Sequence, residues 1–134
     1  MLEHLLESAI PCLALAIDDT ITVDPPAFAK LASSVLDAGG RVVIITARPE
    51  QSRSATRREL DDYGMRFNAL HFLPSMDAGV KACPHTDLNW FDRYLWHKVK
   101  IAQQCRVTHF IDGDPRVIDL LKEFAPEIEA IPVR

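Results

Sequence analysis

Apolar runs of strand length alternate along the chain with stretches in which apolar residues recur at helical spacing. Strands are predicted at 12–17, 41–45, 69–73, 107–111 and 128–131, each a short apolar run bounded by turn-forming or polar residues. After the first strand, Phe28, Leu31, Ala32, Val35 and Leu36 mark one face of a helix that Gly39-Gly40 stops. A second helix is predicted to start around Pro49, with Thr46 or a neighbour as its cap, and to run through an Arg/Glu-rich segment to Tyr63. Residues 94–104 and 115–124 read as two more helices, and 74–89, with Pro, Gly and Asp but no clear period, reads as a loop. This alternation predicts one domain over 1–134, with three α/β/α layers around a parallel sheet of about five strands.

Composition is compatible with that picture and narrows it. A chain of 134 residues, 48% of them hydrophobic, fits one globular core. The formal net charge of −4 disfavours general attraction to duplex nucleic acid, so any phosphate binding is expected to be local. Cys12, Cys83 and Cys105 are odd in number, widely spaced and lack a CxxC pair, which argues against a disulfide framework or a zinc site and points to a reducing cytoplasm. Residues 1–10 carry Glu3, His4 and Glu7 where a secretory leader is basic and then apolar, and no later apolar run is long enough to span a bilayer. A soluble protein without membrane association is expected.

Ligands of open α/β sheets bind at the carboxyl ends of the strands, so the residues just after each strand are the ones to collect. They are Asp18, Asp19 and Thr20 after the first, Thr46 and Arg48 after the second, and Asp112 and Asp114 after the fourth, with Lys98 on the preceding helix. Carboxylates, a hydroxyl and an ammonium are the parts needed to hold Mg²⁺ together with a phosphoryl group.

In this arrangement the chain resembles the haloacid dehalogenase superfamily of phosphatases. The family's first motif, Asp-x-Asp-x-Thr after a strand, is matched by Ala16-Ile17-Asp18-Asp19-Thr20 except that Ala16 occupies the nucleophile's place. Thr46 in Ile45-Thr46-Ala47-Arg48-Pro49 matches the second motif, and Lys98 the third, with Lys100 close enough to compete. The acidic fourth motif is either Asp112 or a pattern of Gly113-Asp114 with Asp119, and Asp112 comes immediately off the strand. The resemblance implies a Rossmann-like fold without a cap domain and a Mg²⁺-dependent phosphomonoesterase acting through an aspartyl phosphate. It implies that position 16, Asp18, Thr46 and Lys98 are catalytic, that Thr20 and Arg48 bind substrate, and that Asp18, Asp112 and Asp114 hold the metal. The expected partner is a phosphorylated small molecule, nucleotide or macromolecule, and in the family an open, capless site implies either a large phosphorylated substrate or a cover supplied by a partner subunit, as in a homo-oligomer.

Alanine has no lone pair with which to attack phosphorus. Asp18 is a poor substitute, because Thr20 and Ile21 fix the register and a two-residue shift exceeds the tolerance of an in-line displacement. Two explanations follow. Either this is an Asp-to-Ala inactivated phosphatase, which retention of Asp18, Thr46, Lys98 and Asp112 favours, or a natural pseudoenzyme serving as a phospholigand-binding or protein-interaction module. A receiver domain is the third candidate, but Phe72-Leu73-Pro74 stands where its phosphorylated aspartate belongs.

Each residue also has a plainer reading. Asp18-Asp19 is a common turn pair, Thr46 a helix cap, and Lys98 and Lys100 solvated charges. Arg53, Arg57 and Arg58 form either a phosphate-facing patch with Arg48 or a solvated face paired with Glu50, Glu59 and Asp61. His71, His85, His97 and His109 lack ligand spacing, and Trp90 and Trp96 read as anchors of a loop or the core.

Overall fold

The computed structural model describes residues 2–7 and 9–133. In chain order the elements are α1 (Glu3–Leu6), β1 (Cys12–Leu15), a 3-10 turn (Ile21–Val23), α2 (Pro25–Asp37), β2 (Arg41–Thr46), a 3-10 turn (Glu50–Ser52), α3 (Arg53–Asp62), β3 (Ala69–Phe72), α4 (Met76–Ala82), α5 (Trp90–Gln104), β4 (His109–Asp112), α6 (Pro115–Phe124) and β5 (Glu129–Pro132). The five strands lie in the order β3-β2-β1-β4-β5, and every neighbouring pair is parallel. The fold is a three-layer α/β/α sandwich, Rossmann-like and without a cap domain, as the alternation of periods predicts.

The strands alternate between two cores. Leu13, Leu15, Val42, Ile44 and Ile111 face Phe28, Leu31 and Val35 of α2 and Leu60 of α3. Cys12, Ala14, Val43, Ile45 and Phe110 face Tyr94, Leu95 and Val99 of α5 and Val117 and Leu121 of α6. Central strands buried on both faces explain why the sequence shows apolar runs there and not strict alternation. No helix among the described residues is long and apolar enough to cross a membrane.

Several boundaries differ from expectation for local reasons. β1 ends at Leu15 and not Ile17, because the Ile17 carbonyl accepts the N–H groups of Thr20 and Thr22 and turns the chain. β2 gains Thr46, which pairs with Phe72. β3 stops at Phe72, β5 runs over Glu129–Pro132, and β4 begins only at His109 because the Val107 N–H closes the end of α5 on the Ala102 carbonyl. Pro49 has extended backbone, so it precedes the 3-10 turn and does not open a helix, and Thr46 caps no helix.

The largest departure lies in 74–89. A seven-residue helix, α4, forms there, with the Ser75 hydroxyl accepting from the Ala78 N–H. Gly79 lets α4 approach α5: a Cβ at that position would lie 3.2 Å from Tyr94 Cδ1, and the Gly79 carbonyl meets His97 Nε2 at 2.7 Å. α5 also starts earlier, at Trp90, because Asn89 Oδ1 accepts from the Asp92 N–H at 2.8 Å. Trp90 is not an anchor, being 60% exposed, whereas Trp96 packs against His85 and His97.

Asn68 holds the entry to β3 with both halves of its amide chemistry. Its backbone N–H donates to the Val42 carbonyl at 2.7 Å, and its side-chain Oδ1 accepts from the Val42 N–H at 2.8 Å. Val42 is fully buried. Asn68→Ala therefore strands a buried donor and should cost about 1–3 kcal/mol of unfolding free energy, measured by chemical denaturation with an unchanged m-value.

Candidate functional site

The connections after β1 and β2 cross one face of the sheet through α2 and α3, and those through α5 and α6 cross the other. The direction reverses between β1 and β4, and the crevice outside their carboxyl ends is the topological switch point of the fold. A cavity of about 120 Å³ lies there, and Asp18, Thr46, Lys98, Asp112 and Asp114 all reach its wall, together with Asp19, Ala47 and Phe91. Six of the strand-end and helix residues singled out in the sequence, Asp19 included, are thus brought together by the fold. Sequence reasoning does not find Phe91 and Ala47, which carry no chemistry that a sequence would flag.

At the floor, Lys98 Nζ donates to Asp112 Oδ2 at 2.8 Å, and both side chains are more than nine-tenths buried. The other carboxylate oxygen of Asp112 accepts from the Asp114 N–H at 2.9 Å. Asp114 Oδ1 in turn accepts from the Arg116 N–H and Nε, capping α6. Lys100, the competing lysine, is exposed and lies over the Trp96 ring. Thr20 sits beneath the cavity wall, fully buried. Its hydroxyl donates to the Asp18 carbonyl and accepts from the Gly113 N–H at 2.9 Å, joining the loops after β1 and β4. Asp19 adopts the left-handed backbone conformation, and its carbonyl occupies the space that a Cβ at Gly113 would need.

Arg48 does not face the cavity as a substrate ligand. Its Nε and one terminal nitrogen donate to both oxygens of Asp18 at 3.1 and 2.9 Å, and it also reaches Glu59 at 3.0 Å and the Thr56 hydroxyl. Tyr63 completes this network by donating to Glu59 at 2.8 Å. The hydrogen bonds from Arg48 hold the Asp18 and Glu59 carboxyls below their ordinary range, and the same two carboxylates raise Arg48. Arg53 pairs with Glu50 and lies over Phe72, and Arg57 lies over Phe67, so these two serve packing and surface pairing, while Arg58 is exposed; none of the three lines the cavity. Ala16 is buried, its N–H bonded to the Ile111 carbonyl, and its side chain does not reach the cavity wall.

The three carboxylates that the sequence offers for Mg²⁺ are largely committed to other partners as arranged. Asp18 gives both oxygens to Arg48, Asp112 gives one to Lys98 and one to a backbone N–H, and Asp114 gives Oδ1 to the start of α6. Among the described residues no group of three His, Cys, Asp or Glu side chains is arranged to hold a metal ion. A hard cation needs carboxylate oxygens that are not already spent on cations and amides.

A second cavity of about 400 Å³ adjoins the first across Ala47, lined by Pro49, Leu73, Pro74, Met76 and Tyr94 among others. The Tyr94 hydroxyl donates to the Ala47 carbonyl at 2.9 Å and fixes the partition between the two.

No family model matches the chain, and no curated protein matches it. Among solved structures it is similar to a universal stress protein determined in complex with cAMP, with 15% identity, a TM-score of 0.53, and coverage of 95% of this chain and 98% of that one. That likeness establishes the fold. It also corrects the reading of the chain as a haloacid dehalogenase: the same layered architecture, over nearly its whole length, occurs in a universal stress protein, so motif order along such a fold does not identify a phosphatase. Hydrolase activity, a magnesium-dependent mechanism and the inactivated-variant account of Ala16 fall with that reading. Ala16 is an ordinary small residue of the core.

The Arg48 network makes acid stability testable. Because Asp18 and Glu59 have lowered pKa values in the folded state, their contribution is present above the ordinary carboxylate range and is lost as pH falls through the lowered values. Asp18 is largely exposed, so the effect is modest. Arg48→Met should lower the melting temperature by a few degrees at neutral pH and flatten its decline below the ordinary carboxylate range, measured by thermal denaturation across pH.

Proposed function

We propose that the chain is a non-enzymatic nucleotide-binding domain, which holds a phosphorylated nucleotide noncovalently at the switch point between β1 and β4. The observation that carries this reading is the pair of adjoining cavities: a small polar one floored by the Lys98 ammonium, and a larger one walled by Leu73, Pro74, Met76 and the Tyr94 ring. Nucleotide sites need that combination, an apolar slot for the base and a few convergent polar groups for the phosphate. The universal stress protein of similar fold was solved with cAMP, a ligand of this shape and chemistry.

Lys98 is suited to bind rather than to react. Held by Asp112, its ammonium has two further N–H donors, and it presents them without side-chain reorganisation because the stem is buried along α5. The Thr46 hydroxyl is a second polar contact on the wall, at the end of β2.

Titration calorimetry with cAMP and AMP tests the reading, and saturable binding with one site per chain is expected. Ala47→Trp, which fills the boundary between the cavities, should weaken binding at least about tenfold while leaving the melting temperature within a few degrees. Lys98→Met combined with Asp112→Asn removes the ammonium without leaving a buried charge unpaired, and should also cost about tenfold or more, the worth of a charged hydrogen bond. Absence of binding by any adenine nucleotide, or full affinity in Ala47→Trp, would contradict the proposal.

A further inference from the structure

We infer that this site selects nucleotides of low charge, such as a cyclic phosphodiester, and rejects nucleoside polyphosphates; the inference rests on the nucleotide-binding reading above. The cations near the cavity are already committed. Lys98 is neutralised by Asp112, and Arg116 is paired with Asp114 while its guanidinium lies over the Phe91 ring. Arg48 serves two carboxylates, Asp18 and Glu59, so that triad carries one uncompensated negative charge. Asp19 is exposed on the cavity wall with no cationic partner among the described residues, and adds a second. A ligand therefore enters a site that is already net negative.

A cyclic phosphodiester brings one charge and a terminal phosphomonoester close to two, and each further phosphate adds repulsion against Asp18 and Asp19. Size acts in the same direction. The polar cavity of about 120 Å³ has room for one phosphate group, and a longer chain leaving it meets the net negative charge carried by Asp18 with its partners and by Asp19 on the wall. The larger cavity offers no relief, because its one acidic residue, Glu50, is paired with Arg53 and the rest of its wall is neutral.

Asp19 isolates the charge from the architecture. Its backbone is left-handed, a conformation that asparagine tolerates as well as aspartate does, so Asp19→Asn removes one charge at almost constant shape. The experiment is calorimetric titration of the full chain with cAMP, AMP and ATP in chelator-containing buffer, repeated with Asp19→Asn and, for the unmodified protein, at raised salt. The unmodified protein should bind cAMP about tenfold or more tightly than ATP. Asp19→Asn should narrow that gap about threefold, and raised salt should narrow it without any substitution. ATP binding as tightly as cAMP, or a gap insensitive to both Asp19→Asn and salt, overturns the charge inference while leaving nucleotide binding in place. Failure of all three nucleotides to bind overturns the underlying reading itself.

Discussion

The buried ion pair between Lys98 and Asp112 is the contact on which the carboxyl edge of the sheet depends. It joins the middle of α5 to the last residue of β4 at 2.8 Å, with both side chains out of water. Burying two charges costs several kcal/mol per ion unless the geometry is good and the remaining polar atoms are satisfied. Here the second oxygen of Asp112 is satisfied by the Asp114 N–H, which sets the turn into α6. One pair thus fixes the position of a helix, the end of a strand and the start of the next helix.

Around that pair the acidic residues act chiefly as structural acceptors. Asp114 starts α6, Asp18 anchors Arg48 against α3, and the loops after β1 and β4 are tied through the Thr20 hydroxyl. The contact of the Asp19 carbonyl with Gly113 admits no side chain at position 113, so the two loops are held at a separation that a larger residue would force apart. What remains free to meet a ligand is small: an ammonium with spare donors, a threonine hydroxyl and an apolar slot beyond Ala47.

Much of this is legible in the sequence, and the illegible part has a physical pattern. Strand cores such as 12–15 and 41–45 declare themselves because both faces are buried, and α6 is bounded by Pro115 at its start. α4 is hidden because seven residues containing Gly79 carry too little periodicity, and its stability comes from packing on Tyr94 and His97, distant in sequence. The residues at the strand ends are equally legible as a group. Their partners are not: Asp18 meets Arg48 thirty positions away, and Lys98 meets Asp112 fourteen away. Spacing suggests an acidic metal site, whereas the three-dimensional pairing spends those oxygens on cations and backbone amides. Residues collected at the strand ends therefore mark the crevice at the carboxyl edge of the sheet without identifying its chemistry.

The central claim is that a nucleotide sits over the Lys98–Asp112 pair at the β1/β4 switch point. Amide chemical-shift mapping of the isotopically labelled chain on addition of cAMP tests it most directly. The account predicts saturable shifts concentrated on the walls of the two adjoining cavities, at 18–19, 46–47, 73–76, 94–98 and the 112–114 turn. It is contradicted if the shifts instead fall at the opposite edge of the sheet, around the cavity lined by Ile10, Pro11 and Gly40, or if no amide moves at all.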